Sequence, residues 1–139
     1  MSSALPHVLV AEDNRLVADA MRLLFEETGH RVTTAATIVD VVAAATSDPV
    51  DLLLLDLGLA DGDGLEALAQ LRELGALPRV NVALTGRDEP EVVERCRAAG
   101  CRDVLLKPVP VAELLRRSRE WLGASGREAS TTGSESPPA

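Results

Sequence analysis

Five short apolar runs recur along the chain, and each is followed by a segment of helical character. The runs are Val8–Ala11, Arg31–Ala35, Asp51–Leu55, Val80–Leu84 and Asp103–Leu106. The segments that follow them are Asn14–Thr28, Ile38–Ser47, Gly64–Leu74, Glu89–Ala99 and Pro110–Leu122. Three of the runs consist mainly of Val, Leu and Ala, as expected of strands buried on both faces of a parallel sheet. The alternation therefore predicts an α/β fold of the doubly wound (βα)5 type.

Residues typical of helix ends stand at the predicted boundaries. Gly29, Gly75 and Gly100 occupy positions where helices usually terminate. The sequences Asp63-Gly-Leu-Glu66 and Asp88-Glu-Pro-Glu91 resemble capping boxes, which predicts that helices begin at these two places.

The chain has room for one domain and a short tail. It has 139 residues, of which 46% are hydrophobic, enough to fill a core. After Leu122 the composition changes to Gly, Ser, Thr, Glu and Pro, which do not build a packed interior. We therefore predict an N-terminal extension over residues 1–6, a folded domain over 7–122 and a disordered tail over 123–139.

Charge and cysteine content narrow the choice of partners and compartment. The formal net charge of -8 argues against nucleic acid or an anionic membrane surface as the main partner. Cys96 and Cys101 are the two cysteines, too few for a disulfide framework, and we expect them to be reduced and mostly buried. The start of the chain resembles neither a signal peptide nor a membrane span. These features predict a cytoplasmic protein.

Polar residues interrupt the apolar pattern where the predicted strands end. They are Glu12 and Asp13 after the first strand, Asp56 after the third, Thr85 after the fourth and Lys107 after the fifth. Open α/β sheets bind their ligands at this edge. In the flavodoxin-like strand order 2-1-3-4-5, which we predict for the five-stranded parallel sheet, the first and third strands are neighbours. That order brings Asp13 and Asp56 together.

These residue types suit the binding of a cation and a phosphoryl group. Clustered carboxylates repel one another unless a cation joins them. Mg²⁺ fits such a site, because it prefers a few carboxylate oxygens together with water and phosphate oxygens. The ammonium of Lys107 and the hydroxyl of Thr85 then offer a positive charge and a donor to phosphate oxygens, which are the main demands of phosphoryl transfer.

Taken in order, these residues resemble the receiver domain of two-component response regulators. The resemblance rests on Glu12-Asp13, Asp56, Asp63-Gly64, Thr85-Gly86 and Lys107-Pro108, and it extends from about His7 to Leu122. It implies a chemotaxis-regulator-like receiver domain over residues 7–122. It also implies a cis peptide bond between Lys107 and Pro108.

The resemblance implies a role for each site residue. Asp56 would accept a phosphoryl group from a sensor histidine kinase, assisted by Lys107 and Thr85. Mg²⁺ would be held by Asp13 and Asp56 directly, by Glu12 through water and by the backbone carbonyl of Gly58. Such a domain is not an enzyme with its own substrate, although it assists its own phosphorylation and dephosphorylation.

Three positions depart from the usual receiver pattern. Val104 stands where many members of the family have Tyr or Phe, whose ring normally moves inward on activation. Ala60 replaces a Pro, which is expected to leave the loop after Asp56 less constrained. Gly86 stands where Ala is common. Output through the usual aromatic switch is therefore not expected.

Several alternatives remain compatible with the sequence. The expected activity is a phosphorylation-dependent change of protein contacts, since no output domain follows Leu122. The chain could instead be a phosphorelay intermediate that passes its phosphoryl group to a histidine phosphotransfer protein, or the receiver fragment of a hybrid kinase. An aspartyl-phosphate phosphatase is disfavoured because Gly58 stands where such enzymes usually have a second Asp. A binding module that is never phosphorylated is disfavoured because all five site residues are present.

Overall fold

Seven strands and five helices make up the computed structural model, which describes the backbone of residues 5–126 and the side chains of residues 5–123. The strands are β1 (His7–Ala11), β2 (Arg31–Ala35), β3 (Leu52–Asp56), β4 (Gly58–Leu59), β5 (Gly62–Asp63), β6 (Val80–Thr85) and β7 (Asp103–Leu106). The helices are α1 (Arg15–Glu27), α2 (Ile38–Ser47), α3 (Leu65–Leu74), α4 (Pro90–Ala98) and α5 (Val111–Gly126). All ten predicted elements are present.

Five of the strands form one parallel sheet in the order β2-β1-β3-β6-β7. Counted as the five predicted strands, this is the order 2-1-3-4-5, so the predicted topology is confirmed. β3 lies between β1 and β6, with Val10 opposite Leu54 and Asp56 opposite Leu84. The carboxyl ends of β1, β3 and β6 therefore meet at one edge of the sheet.

The unbroken apolar runs are explained by helices on both faces of the sheet. Leu53 and Leu55 of β3 pack into a core with α2, α3 and α4, and their neighbours Leu52 and Leu54 pack into a second core with α1 and α5. All four leucines are fully buried. Each buried leucine contributes about 1.5–3 kcal/mol relative to an exposed one. In β3, therefore, a polar residue stands only at the end of the strand.

β4 and β5 form a small antiparallel ribbon between β3 and α3, which the sequence did not predict. It fixes the loop after Asp56. The N–H of Ala60 at the tip of this ribbon donates to the carbonyl of Ala36 at 3.2 Å. A proline at position 60 has no N–H and could not make this bond. The ribbon is thus tied to the segment before α2 by a bond that requires a residue other than proline at position 60, and the expectation that Ala60 leaves the loop less constrained stays a prediction.

The helix ends agree with the predictions at their C-termini and depart from them at two N-termini. Gly29, Gly75 and Gly100 all have positive φ, as expected for glycines that end helices. Neither proposed capping box forms. The N-cap residues of α3 and α4 are Gly64 and Glu89, and neither makes a side-chain capping bond.

Two local features account for the missing capping boxes. Asp63 belongs to β5 and lies one residue before the N-cap, from where its Oδ1 accepts from the N–H of Leu65 at 2.9 Å. α4 begins at Pro90, whose fixed φ and missing N–H suit a first helical position.

α5 continues to Gly126, four residues past the predicted end of the domain at Leu122. Helix propagation adds one hydrogen bond per residue, and the sequence Gly-Ala-Ser-Gly contains no proline to stop it. The remaining part of the predicted tail, residues 127–139, and residues 1–4 of the predicted extension lie outside the described residues.

The two cysteines are free and buried, as predicted. Burial raises the pKa of the Cys101 thiol to about 12, and the neighbouring Cys96 adds to the effect. Within residues 5–126 no helix has the length and apolar character required to cross a membrane.

Candidate functional site

The predicted site residues meet at the carboxyl edge of the sheet. Asp56 and Thr85 are the last residues of β3 and β6, and both are buried. Glu12 follows β1 directly and is also buried, whereas the next residue, Asp13, is exposed. Lys107 follows β7 and is bonded to the cis proline that was predicted next to it.

Lys107 links two of the carboxylates. Its Nζ donates to Oδ2 of Asp56 at 3.1 Å and to Oε1 of Glu12 at 3.3 Å. Burial lowers the pKa of Lys107, but the hydrogen bond and charge of Asp56, helped by Glu12, outweigh it and raise that pKa. The ammonium therefore remains charged and offsets part of the negative charge of the cluster.

The environment of Glu12 is unfavourable to its ionised form. Burial is the main cause that raises the pKa of Glu12, and the negative charge of Asp56 adds to it. The N–H of Asn14, which donates to Oε2 of Glu12 at 3.1 Å, acts in the opposite direction. A further positive charge at this place would favour the carboxylate.

Three carboxylates can converge on one point. Glu12, Asp13 and Asp56 each offer an oxygen, and these oxygens lie within 4.8 Å of one another. Oxygen donors of this kind suit a hard divalent cation. The predicted backbone ligand, Gly58, begins β4, and its N–H donates to Oδ1 of Asp56 at 3.0 Å. A role for its carbonyl stays a prediction.

A cavity of about 360 Å³ opens beside Asp56. Its lining consists of Asp56, Leu57, Gly58, Asp63, Thr85, Gly86, Arg87, Val92 and Arg95. Oγ1 of Thr85 accepts from the N–H of Arg87 at 3.1 Å, which leaves the hydroxyl proton of Thr85 available to an acceptor in the cavity. The position of Val104 is filled by a half-buried side chain that packs against the core of α2, α3 and α4.

Sequence reasoning missed two side chains near this site. Asp61 accepts from the N–H of Ile38 at 2.6 Å and from that of Val39 at 3.3 Å, so it caps α2 from a different loop. Arg95 of α4 forms an ion pair with Asp63 at the mouth of the cavity. These partners are 22 to 32 residues apart. No local pattern indicates such distant pairs.

Comparison with known proteins identifies the family. The sequence model of the response regulator receiver domain matches residues 8–119, and the chain belongs to this family. The KDP operon transcriptional regulatory protein KdpE of Escherichia coli is 39% identical over 114 residues, which are 81% of this chain and 49% of KdpE. The chain thus spans about half the length of the KdpE proteins it matches. The sensory/regulatory protein RpfC of Xanthomonas campestris is 32% identical over 78% of this chain and 15% of RpfC.

Solved structures agree with this assignment. A CheY-like receiver domain protein from Methanospirillum hungatei superposes with a TM-score of 0.83 at 26% identity, covering 91% of this chain and all of its own. The receiver domain of the sensor histidine kinase PA1611 from Pseudomonas aeruginosa superposes with a TM-score of 0.76 at 31% identity, covering 86% of this chain and 99% of its own. That structure contains a magnesium ion coordinated in its active-site cleft.

Proposed function

We propose that Asp56 accepts a phosphoryl group from a phosphohistidine of a sensor histidine kinase in the cytoplasm, and that the added charge switches protein contacts. The observation that best supports this function is the position of Asp56. Its carboxylate contacts Lys107, lies within 4.8 Å of oxygens of Glu12 and Asp13, and opens onto a cavity of about 360 Å³. Burial of a carboxylate at the end of a leucine-rich strand costs free energy unless the carboxylate has partners.

Asp56 is held as an oriented nucleophile. Its Oδ2 accepts from Lys107 and its Oδ1 accepts from the N–H of Gly58. In the reaction, a carboxylate oxygen of Asp56 forms a bond to phosphorus while the P–N bond of the donor breaks. The electron pair of that bond stays on the imidazole nitrogen. Phosphoryl transfer depends mainly on the placement of the reacting groups and on neutralisation of their charge. The fixed carboxylate of Asp56 meets the first of these requirements.

The acidic cluster fits Mg²⁺. In the proposed site Asp13 and Asp56 bind the ion directly, Glu12 binds through water and the carbonyl of Gly58 completes the protein ligands. The choice is supported by the three convergent carboxylates and by the magnesium in the cleft of the PA1611 receiver domain. When bound, the ion neutralises negative charge on the phosphoryl oxygens. The exposed position of Asp13 leaves the cluster open to solvent and to an incoming ion.

Lys107 and Thr85 then hold the phosphoryl group. Lys107 supplies a positive charge that already faces Asp56, and Thr85 supplies a hydroxyl that lines the same cavity. Phosphorylation adds about -1.5 to -2 charge at neutral pH. The same residues support the hydrolysis that ends the signal. In this proposal the domain acts on no substrate other than its own phosphoryl donor.

The similarity to RpfC supports a second candidate, in which the chain is the receiver segment of a larger sensory protein or an intermediate in a phosphorelay. In either case Asp56 has the same chemistry. The two candidates differ in the downstream partner, which is an effector protein contacted by the phosphorylated domain in the first and a histidine phosphotransfer protein that receives the phosphoryl group in the second.

Incubation with acetyl phosphate and Mg²⁺, followed by intact-mass measurement, tests the proposal. The expected result is the addition of one phosphoryl group, which Asp56→Asn and removal of Mg²⁺ each abolish. Undiminished acid-labile labelling of Asp56→Asn would place the acceptor elsewhere. Steady release of inorganic phosphate from small phosphoesters, without a stable adduct, would instead indicate a phosphatase.

A further inference from the structure

Two charged residues to which the proposed function assigns no role face each other across the mouth of the cavity. Arg95 projects from the middle of α4, and its guanidinium pairs with Oδ2 of Asp63, which ends β5. Both residues line the cavity beside Asp56. The pair therefore places a positive charge beside the cavity onto which Asp56 opens.

A second arginine lines the cavity, but its pairing directs it elsewhere. The side chain of Arg87 is 70% exposed and donates to Glu89, which is not part of the cavity lining. The partner of Arg95 is itself a lining residue, so the guanidinium is held beside the cavity even though 56% of its side chain is exposed. Arg95 is thus the better placed of the two.

The partner that Arg95 has now is a weak competitor. The side chain of Asp63 is 41% exposed, and ion pairs between exposed groups contribute little. Its other oxygen is already engaged by the N–H of Leu65. A phosphoryl group offers about twice the negative charge and three strong acceptor oxygens. The planar fork of an arginine matches such a group with two parallel hydrogen bonds.

We infer that Arg95 is a phosphoryl-binding residue, which leaves Asp63 and donates to the phosphoryl oxygens when Asp56 is phosphorylated. The inference rests on the proposed function of Asp56. Asp63 then acts as the competitor that retains Arg95 while Asp56 carries no phosphoryl group.

The exchange has a structural consequence. In the present structure the Arg95–Asp63 pair ties α4 to the residue that precedes the start of α3. Departure of Arg95 from Asp63 breaks this ion pair and moves the Arg95 side chain of α4 towards β3. A chain with Val at position 104 thereby gains a link between phosphorylation and α4 that needs no aromatic ring.

Titration with beryllofluoride in the presence of Mg²⁺ tests the inference, since this group mimics a phosphoryl group on a carboxylate. Arg95→Gln is expected to weaken binding roughly tenfold, the effect of losing a charge-assisted hydrogen bond at a partly exposed site. Arg97→Gln is the matched control, because Arg97 is an exposed residue of the same helix that does not line the cavity. It should bind within about twofold of the wild type.

Asp63→Asn is expected to have the opposite effect on beryllofluoride binding from Arg95→Gln. It keeps an oxygen for the N–H of Leu65 but removes the charge that retains Arg95, so binding of beryllofluoride should become tighter by a few fold. Combined with Arg95→Gln, it should have no further effect, because the residue it releases is gone. The Nε–Hε resonance of Arg95 should shift on addition of beryllofluoride in the wild type and stay constant on addition of Mg²⁺ alone.

The outcomes separate this inference from the proposed function. A wild type that binds beryllofluoride as tightly as Arg95→Gln would overturn the inference and leave Asp56 as the acceptor. Weaker binding by Asp63→Asn would also overturn it, since a purely structural ion pair predicts losses from both changes. A wild type that does not bind beryllofluoride at all would overturn both proposals.

Discussion

Gly64 lies so close to Asp56 that a Cβ atom at position 64 would be 2.5 Å from the backbone carbonyl oxygen of Asp56. The same glycine donates its N–H to the carbonyl of Leu57 at 2.8 Å. The start of α3 is thereby packed against the end of β3. This contact helps to fix the backbone from which the Asp56 side chain extends.

Gly64→Ala should therefore disturb the fold and the site together. The overpacked contact is with backbone, which cannot rotate away, and we expect a loss of about 1–3 kcal/mol in the free energy of unfolding. Phosphoryl uptake from acetyl phosphate should slow as well, because Asp56 is displaced. Urea denaturation and intact-mass kinetics measure the two effects.

Gly123→Ala is the control for this change. It lies in α5, where an added Cβ meets no atom within 4 Å, and alanine is the better helix former by about 0.5–1 kcal/mol. It should stabilise the protein slightly and leave phosphoryl uptake unchanged. Equal behaviour of the two alanine variants would show that the contact at Gly64 is unimportant.

Asp61→Asn should lower the melting temperature at neutral pH and have no effect in acid. The N–H of Ile38 holds the pKa of Asp61 below its ordinary value of 3.8, with a smaller contribution from that of Val39. A carboxyl whose pKa is depressed on folding stabilises the protein above the unfolded value, and this stabilisation disappears as the pH falls through the folded value. The difference from the wild type should therefore shrink as the pH falls below 3.8 and vanish once the pH is below the folded value.

Thr37→Ala is the matched control for Asp61→Asn. Thr37 caps the same helix by accepting from the N–H of Asp40 at 3.0 Å, but it does not titrate. Its loss should lower the melting temperature by the same amount throughout the pH range. A pH-independent effect of Asp61→Asn would contradict the proposed role of its charge.

Mg²⁺ should raise the melting temperature, because the unfolded chain lacks the convergent carboxylates. At a free concentration about 100 times the dissociation constant, the gain is about 2.7 kcal/mol. Asp13→Ala should remove this response, whereas Glu73→Ala, which deletes an exposed charge on α3, should retain it. Thermal scans with Mg²⁺ and with EDTA measure both. A full response from Asp13→Ala would show that the ligands are assigned incorrectly.

Ala60→Pro should destabilise this chain. The substitution removes the N–H that donates to the carbonyl of Ala36. Loss of that bond costs about 1–3 kcal/mol where the acceptor is left unpaired, and proline returns about 0.4–1 kcal/mol by restricting the unfolded chain. Ala60→Ser keeps the N–H and should be close to neutral. Urea denaturation distinguishes the two, and a stabilising proline would contradict this account of position 60.

The sequence predicted the fold and the position of the site because both follow from local patterns. Unbroken leucines before Asp56 required a strand buried on both faces, and the polar residue that ends such a strand is exceptional. The ion pair of Arg95 and the cap formed by Asp61 could not be predicted in this way. Each depends on two segments that meet only after the sheet has formed, and neither residue interrupts an apolar pattern.

The hydrogen bonds of Lys107 join residues that are 51 and 95 positions apart in the chain. Glu12 follows the first strand of the chain and Lys107 follows the last, so this part of the site exists only when both β1 and β7 have been incorporated into the sheet. A partly synthesised chain that has not yet emerged beyond Lys107 has no ammonium beside Asp56. Molecules that have lost β7 through local unfolding share that defect. Under the proposed function, a copy without an ordered β7 lacks the ammonium that assists phosphoryl uptake by Asp56.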